Sequence, residues 1–132
     1  MAGKTMRSMR TPMARVRGLG AAKDGVHHWW MQRLTAIALV PLTLWFVVSV
    51  AGLAGMDHAA AAAWIGSPPV AVLLLLLIAA TFWHAQLGVQ VVVEDYVHNE
   101  AVKLTALIAI KFAAVVLAVA SIFAVLRLAF GG

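Results

Sequence analysis

The sequence predicts an all-α membrane protein that crosses the bilayer with three helices. Hydrophobic residues make up 64% of the chain and charged residues only 11%, far from the composition of ordinary soluble domains. Three long apolar segments fill most of it, at residues 33–55, 68–93 and 103–127, the last interrupted by Lys111. Each can cross a hydrocarbon core of about 30 Å, which takes about 20 helical residues. Because the backbone finds no water there, the segments must be helical.

Residues 1–24 are predicted to form a basic arm that precedes a transmembrane domain of residues 25–132. Asp24 is the only acid among these residues, and the loop 56–67 carries Asp57 without any Lys or Arg. The cations that precede or open the first span are Lys4, Arg7, Arg10, Arg15, Arg17, Lys23 and Arg33. The positive-inside rule then places the N-terminus in the cytoplasm, at a bacterial inner membrane, or in the matrix if the membrane is mitochondrial.

The arm is expected to rest on anionic membrane lipid. It lacks the folded basic face and the interleaved aromatic residues of a nucleic-acid site, so no nucleic-acid partner is expected. Its Arg-rich, nearly acid-free composition is also compatible with a mitochondrial transit peptide, which is the alternative interpretation.

The first span opens with polar and aromatic residues at the membrane surface. Trp29 and Trp30 suit the headgroup level, and His27 lies in the same interfacial region. Arg33 stands at the inner edge of the apolar segment, where its side chain either extends to the interface or pairs with a buried anion. The next connection, residues 56–67, is alanine-rich and is expected to be briefly amphipathic or irregular. Pro68 and Pro69 suit the first turn of the second span.

His84 lies inside the second apolar segment, where an ionisable side chain is costly and by default marks a functional site. Three interpretations stay open from the residue alone: a buried imidazole bonded to another helix, an axial ligand of haem iron, or a proton relay. Gly88, one turn further, leaves room beside His84 for a flat macrocycle. Gln86 and Gln90 lie on the opposite face, which indicates that protein rather than lipid surrounds this half of the helix.

The same helix reaches the membrane surface at Asp95 and Tyr96. Asp95 follows His84 by eleven residues, which brings it to within roughly 20° of the same face and about 16 Å along the axis. Both residues are ordinary at an interface. The functional interpretation is a quinone site, in which the Tyr96 hydroxyl donates to a quinone carbonyl and Asp95 helps to deliver protons. No other histidine lies at the depth of His84, so a second axial ligand would come from another subunit.

Several kinds of chemistry are excluded by composition. The chain contains no cysteine, which removes disulfides, thiolate nucleophiles and iron–sulfur ligation. No glycine-rich phosphate loop follows a strand. Any dehydrogenase reaction must therefore take place in another polypeptide.

Three blocks of residues carry a family resemblance. They are Gly25-Val26-His27 with Arg33-x-Thr35-Ala36, then Trp64-Ile65-Gly66, then His84-x-x-x-Gly88 leading into Asp95-Tyr96-Val97. In order and spacing they resemble the hydrophobic membrane anchor (D) subunit of bacterial succinate dehydrogenase, respiratory complex II. The resemblance runs from about Gly25 to the C-terminus. His98-Asn99 departs from it, because relatives often carry Lys-Pro there.

The resemblance implies a role for each site residue. His84 matches the axial ligand of haem b, and a companion cytochrome b subunit supplies the other ligand. Tyr96 matches the residue that bonds ubiquinone, with Asp95 as its acidic neighbour. Arg33 matches an arginine near the haem propionates, and His27 a histidine near the same inner face.

The implied function is that of a membrane anchor that links the tricarboxylic acid cycle to the respiratory chain. The chain would form half of a two-subunit helix bundle around one haem b and would dock a flavoprotein and an iron–sulfur subunit, which oxidise succinate. Two alternatives remain: a subunit of a small transporter with His84 in a proton path, and a purely structural anchor.

Overall fold

The computed structural model describes residues 11–13 and 23–131, so most of the basic arm lies outside the described residues. The described chain contains four helices: α1 (Lys23–Gly52), α2 (His58–Gly66), α3 (Pro68–Tyr96) and α4 (Glu100–Ala129). By length and composition α1, α3 and α4 can each cross a membrane. The prediction of an all-α protein with three spans is therefore confirmed, and the chain is a multi-pass membrane protein.

The helix ends follow from short polar signals in the sequence. Asp57 caps α2, because its carboxylate accepts a hydrogen bond from the Ala60 amide at 2.8 Å. Pro68 and Pro69 occupy the first turn of α3, as predicted. Asn99 caps α4 by accepting hydrogen bonds from the amides of Ala101 and Val102 at 3.0 and 3.2 Å. Asn99, one of the two residues that depart from the family resemblance, thus provides the start of the third span.

The connection between the first two spans contains a short helix. The sequence left a brief amphipathic segment or an irregular one open here, and residues 58–66 form the nine-residue helix α2. Trp64 of α2 stacks on Trp45 of α1, with ring centroids 5.9 Å apart and planes 25° from parallel. Gly66 lies against the backbone of α4, where a Cβ atom would stand 2.6 Å from the Leu128 carbonyl oxygen. The sequence signal for this close approach is the glycine itself.

The central helix of the bundle is α3, which packs against all three other helices. Within the described chain the backbones of α1 and α4 do not approach each other closely, whereas each packs closely against α3. A small apolar core of Ala71, Leu74 and Val125 joins α3 to α4. In contrast, a side-chain hydrogen bond between His84 and Thr35 joins α3 to α1.

Most of the apolar surface of the bundle remains uncovered by the chain itself. Ile37 and Val48 of α1 are 69% and 71% exposed, and Phe112 and Phe123 of α4 are 69% and 65% exposed. Uncovered apolar area of this extent cannot face water in a stable soluble protein, so lipid or further apolar helices must cover it.

We expect Gly66→Ala to destabilise the fold, because the new methyl group meets a backbone carbonyl that a rotamer change cannot move. Overpacking of this kind costs about 1–3 kcal/mol. The midpoint of thermal unfolding in detergent should fall. Gly52→Ala is the matched control, because nothing lies within 4 Å of a Cβ there. Equal midpoints for the two variants would show that Gly66 of α2 does not pack closely against the backbone of α4.

Candidate functional site

The site is organised around His84, which contacts α1. The Nδ1 atom of His84 lies 3.0 Å from the hydroxyl oxygen of Thr35. Thr35 is only 9% exposed, which makes it the one buried polar side chain of the described residues. A threonine on the first span therefore meets the histidine on the second span. Of the three interpretations of His84, the structure supports a bond to another helix, and this bond uses one ring nitrogen.

The other ring nitrogen is not used by the fold. No hydrogen bond within the described chain involves Nε2 of His84. The described residues also contain no group of three or more His, Asp or Glu side chains that could hold a metal ion by themselves. Any metal ligation by this part of the chain would thus rest on one imidazole nitrogen. A hydrogen bond at Nδ1 and metal ligation at Nε2 would not compete, because each would use a different nitrogen.

Gly88 leaves space on the His84 side of α3. A Cβ atom at Gly88 would contact only the Gln32 side-chain nitrogen, at an ordinary 3.9 Å. Packing within the chain therefore does not require a glycine here. An open position one turn from His84 is what a flat ligand beside the imidazole would need.

Two polar side-chain atoms are buried without a hydrogen-bond partner in the described chain. They are Nε2 of His28 and Oε1 of Gln32, both on α1. Buried polar groups normally have a hydrogen-bond partner. Two such atoms without one indicate that a water or a ligand group lies beside His28 and Gln32. Sequence reasoning did not single out His28, Gln32 or Thr35 as site residues. Their spacing of four and three residues, which places them on one face of α1, was the available signal.

Arg33 and His27 lie at the same end of α1 but away from Thr35. The guanidinium of Arg33 lies 5.4 Å from the ring centroid of Trp29, in a cation–π contact. Both side chains are exposed, and neither forms a salt bridge or a hydrogen bond to His84 within the described chain. Arg33 is thus held by Trp29 and remains available to an anion from outside the chain.

Asp95 and Tyr96 end α3 at its exposed surface. Tyr96 is 78% exposed, and no hydrogen bond in the described chain uses either side chain. Because α3 is continuous from Pro68 to Tyr96, these residues and His84 belong to one rigid helix. The predicted offset of about 16 Å along the axis therefore applies. The structure contains two separate candidate sites, one partly buried at His84 and one exposed at Tyr96.

The opposite face of α3 carries a chain of side-chain hydrogen bonds. Gln86 donates to Gln90 at 3.2 Å, and Gln90 donates to Glu94 at 2.8 Å. Both glutamines line a cavity of about 520 Å³ between α3 and α4, together with Lys111. The expected protein cover on this face is therefore supplied by α4, and the Gln90 amide is paired with both Gln86 and Glu94.

Comparisons with known proteins agree with this architecture. The profile of the succinate dehydrogenase/fumarate reductase transmembrane subunit family matches residues 7–120. The chain is 34% identical over 116 residues to the succinate dehydrogenase hydrophobic membrane anchor subunit of Rickettsia bellii, covering 88% of this chain and 93% of that protein. It is 29% identical over 121 residues to the same-named subunit of Paracoccus denitrificans, covering 92% and 93%.

A further relative is the succinate dehydrogenase membrane anchor subunit of Reclinomonas americana, 28% identical over 104 residues, covering 70% of this chain and 80% of that protein. The chain therefore belongs to the succinate dehydrogenase/fumarate reductase transmembrane subunit family. Within that family, its relatives support the role of succinate dehydrogenase membrane anchor. Such an anchor has the other subunits of the complex as its partners.

Proposed function

We propose that this chain anchors succinate dehydrogenase to a bacterial inner membrane, with its N-terminus in the cytoplasm, and ligates haem b through His84. A companion cytochrome b subunit would supply a second ligand to the haem and complete the two-subunit bundle. The chain also contributes Tyr96 and Asp95 to a ubiquinone site, and it helps to dock the flavoprotein and iron–sulfur subunits. Electrons from succinate thereby pass to ubiquinone at the membrane.

The observation that carries haem ligation is the way His84 is held. Its Nδ1 atom is 3.0 Å from the Thr35 hydroxyl, while Nε2 has no partner in the described chain. Histidines that bind metals usually use their second nitrogen for a hydrogen bond of this kind. When bound, haem b supplies one-electron redox chemistry at membrane depth. His84 would hold the iron, and the open space at Gly88 would admit the ring.

The polar residues at the inner end of α1 suit the acidic edge of haem. Propionates carry negative charge, and Arg33 is an exposed cation whose guanidinium is already restrained by Trp29. The Gln32 amide lies beside Gly88, and Nε2 of His28, one turn earlier on α1, is buried without a partner in the described chain. We assign the propionate environment to this end of α1, with His27 at its exposed margin.

The quinone site rests on the exposed end of α3. The Tyr96 hydroxyl has no partner in the described chain and can donate a hydrogen bond to a quinone carbonyl. Asp95 is exposed beside it and can exchange protons with water. Reduction of a quinone takes two electrons and two protons, so a donor and a carboxylate at the membrane surface suit this reaction. The role of Tyr96 is to bind and orient the quinone.

His84→Ala should abolish or strongly reduce haem b in the purified complex, because no other described histidine lies at the same depth on a span. A reduced-minus-oxidised spectrum measures the haem α band, and His58→Ala in the connecting helix α2 is the control. The same spectrum of the wild-type complex separates the proposal from a purely structural anchor and from a transporter subunit. Full haem occupancy in His84→Ala would eliminate this ligand.

Gly88→Leu should lower haem occupancy while the helices still assemble, because the added side chain enters the open space beside His84. Gly52→Leu introduces the same side chain at a position with nothing within 4 Å and serves as the control. Haem content per complex is measured together with subunit composition. Unchanged haem content in Gly88→Leu would mean that no bound group uses this space.

Tyr96→Phe should slow electron transfer from succinate to ubiquinone, because it removes one hydrogen bond and keeps the ring. Such a bond is worth on the order of 1–1.5 kcal/mol, or about tenfold in quinone affinity. Succinate oxidation with an acceptor that takes electrons from the soluble subunits should be unchanged, which controls for folding and docking. Wild-type quinone kinetics in this variant would leave Tyr96 as an interfacial anchor only.

A further inference from the structure

The Thr35 hydroxyl has three hydrogen-bonding neighbours but only one proton. Its oxygen lies 2.8 Å from the Met31 carbonyl oxygen and 3.1 Å from the Gln32 carbonyl oxygen, both in the preceding turn of α1. The third neighbour is Nδ1 of His84, at 3.0 Å. A carbonyl oxygen can only accept hydrogen bonds, whereas Nδ1 of a neutral imidazole can donate or accept.

Only one placement of protons satisfies all three contacts. If the hydroxyl proton points to the α1 carbonyl groups, the hydroxyl oxygen accepts a proton from Nδ1–H of His84. If the hydroxyl proton instead points to Nδ1, two carbonyl oxygens lie within about hydrogen-bond distance of a hydroxyl oxygen with no proton between them, which is repulsive. Since Thr35 is 9% exposed, water is not at hand to relieve that repulsion.

We propose that Thr35 is the positioning residue of the haem site: it fixes His84 in the Nδ1–H tautomer and so presents the lone pair of Nε2 to iron. This inference rests on the proposed haem ligation by His84. It assigns to Thr35 a role that the sequence pattern alone did not indicate. The tautomer of His84 is set before any ligand binds, because all three hydrogen-bonding contacts of the Thr35 hydroxyl lie within this chain.

The hydrogen bond also changes the electronic properties of the ligand. An imidazole whose Nδ1–H is bonded to an oxygen is a stronger electron donor at Nε2. Stronger donation stabilises ferric over ferrous haem, and hydrogen bonding to an axial ligand is one of the ways in which a protein tunes haem potential. Loss of the Thr35 hydroxyl should therefore raise the midpoint potential and weaken haem retention.

The test compares Thr35→Val, Thr35→Ala and Thr35→Ser in the complete complex purified from membranes. Valine replaces the hydroxyl with a methyl group, and alanine removes both the hydroxyl and the γ-methyl group. Serine keeps the hydroxyl. Thr105→Val is the matched control, because the Thr105 hydroxyl donates to the Ala101 carbonyl at 2.8 Å and has no partner on another helix. Haem content per complex and the haem midpoint potential are measured for each variant.

Thr35→Val and Thr35→Ala should raise the midpoint potential and lower haem affinity by about tenfold or more, the usual effect of losing such a supporting bond. Thr35→Ser should restore both properties, and Thr105→Val should match the wild type. A wild-type potential with full haem in both hydroxyl-free variants, or the same shift in Thr35→Ser, would overturn the inference. If His84→Ala retains haem, the proposed ligation itself fails, which is a distinguishable result.

Discussion

The hydrogen bond between Thr35 and His84 is the interaction on which the site depends. It joins α1 to α3 at membrane depth and provides a polar partner for the partly buried imidazole. Bonds of this kind between membrane helices contribute on average only about 0.6 kcal/mol to stability. This magnitude indicates that the bond matters more for the state of the imidazole than for holding the helices together. The hydroxyl can thus be removed without unfolding the bundle.

The position of α3 explains how one short chain carries two candidate sites. This helix contacts the three others, and it runs without interruption from its proline start to Tyr96. Its face near α1 carries His84 and the open space at Gly88, and its exposed end carries Asp95 and Tyr96. A rigid helix holds these groups at a constant separation, so His84 and Asp95 are kept about 16 Å apart along the axis.

The bundle is incomplete as a single chain, which agrees with a subunit of a larger complex. The apolar faces of α1 and α4 are widely exposed, and Nε2 of His28 and Oε1 of Gln32 are buried without partners in the described part of the chain. Apolar surface needs lipid or another apolar helix, whereas buried polar atoms need a donor or acceptor. A partner that satisfies both requirements would place an apolar surface against the spans and polar groups beside His28 and Gln32.

The sequence by itself determined the features that depend on local pattern. Span length, the proline start of α3, and the placement of His84 and Asp95 on one face follow from helical geometry and composition. The tertiary structure decided which helix meets His84 and with which side chain. Thr35 is separated from it by 49 positions, and nothing in the local pattern shows that α1 rather than α4 packs against that face. The sequence also left the form of the connection at residues 56–67 open, because the helix α2 there is supported by the Asp57 cap and by contacts with Trp45 and Leu128.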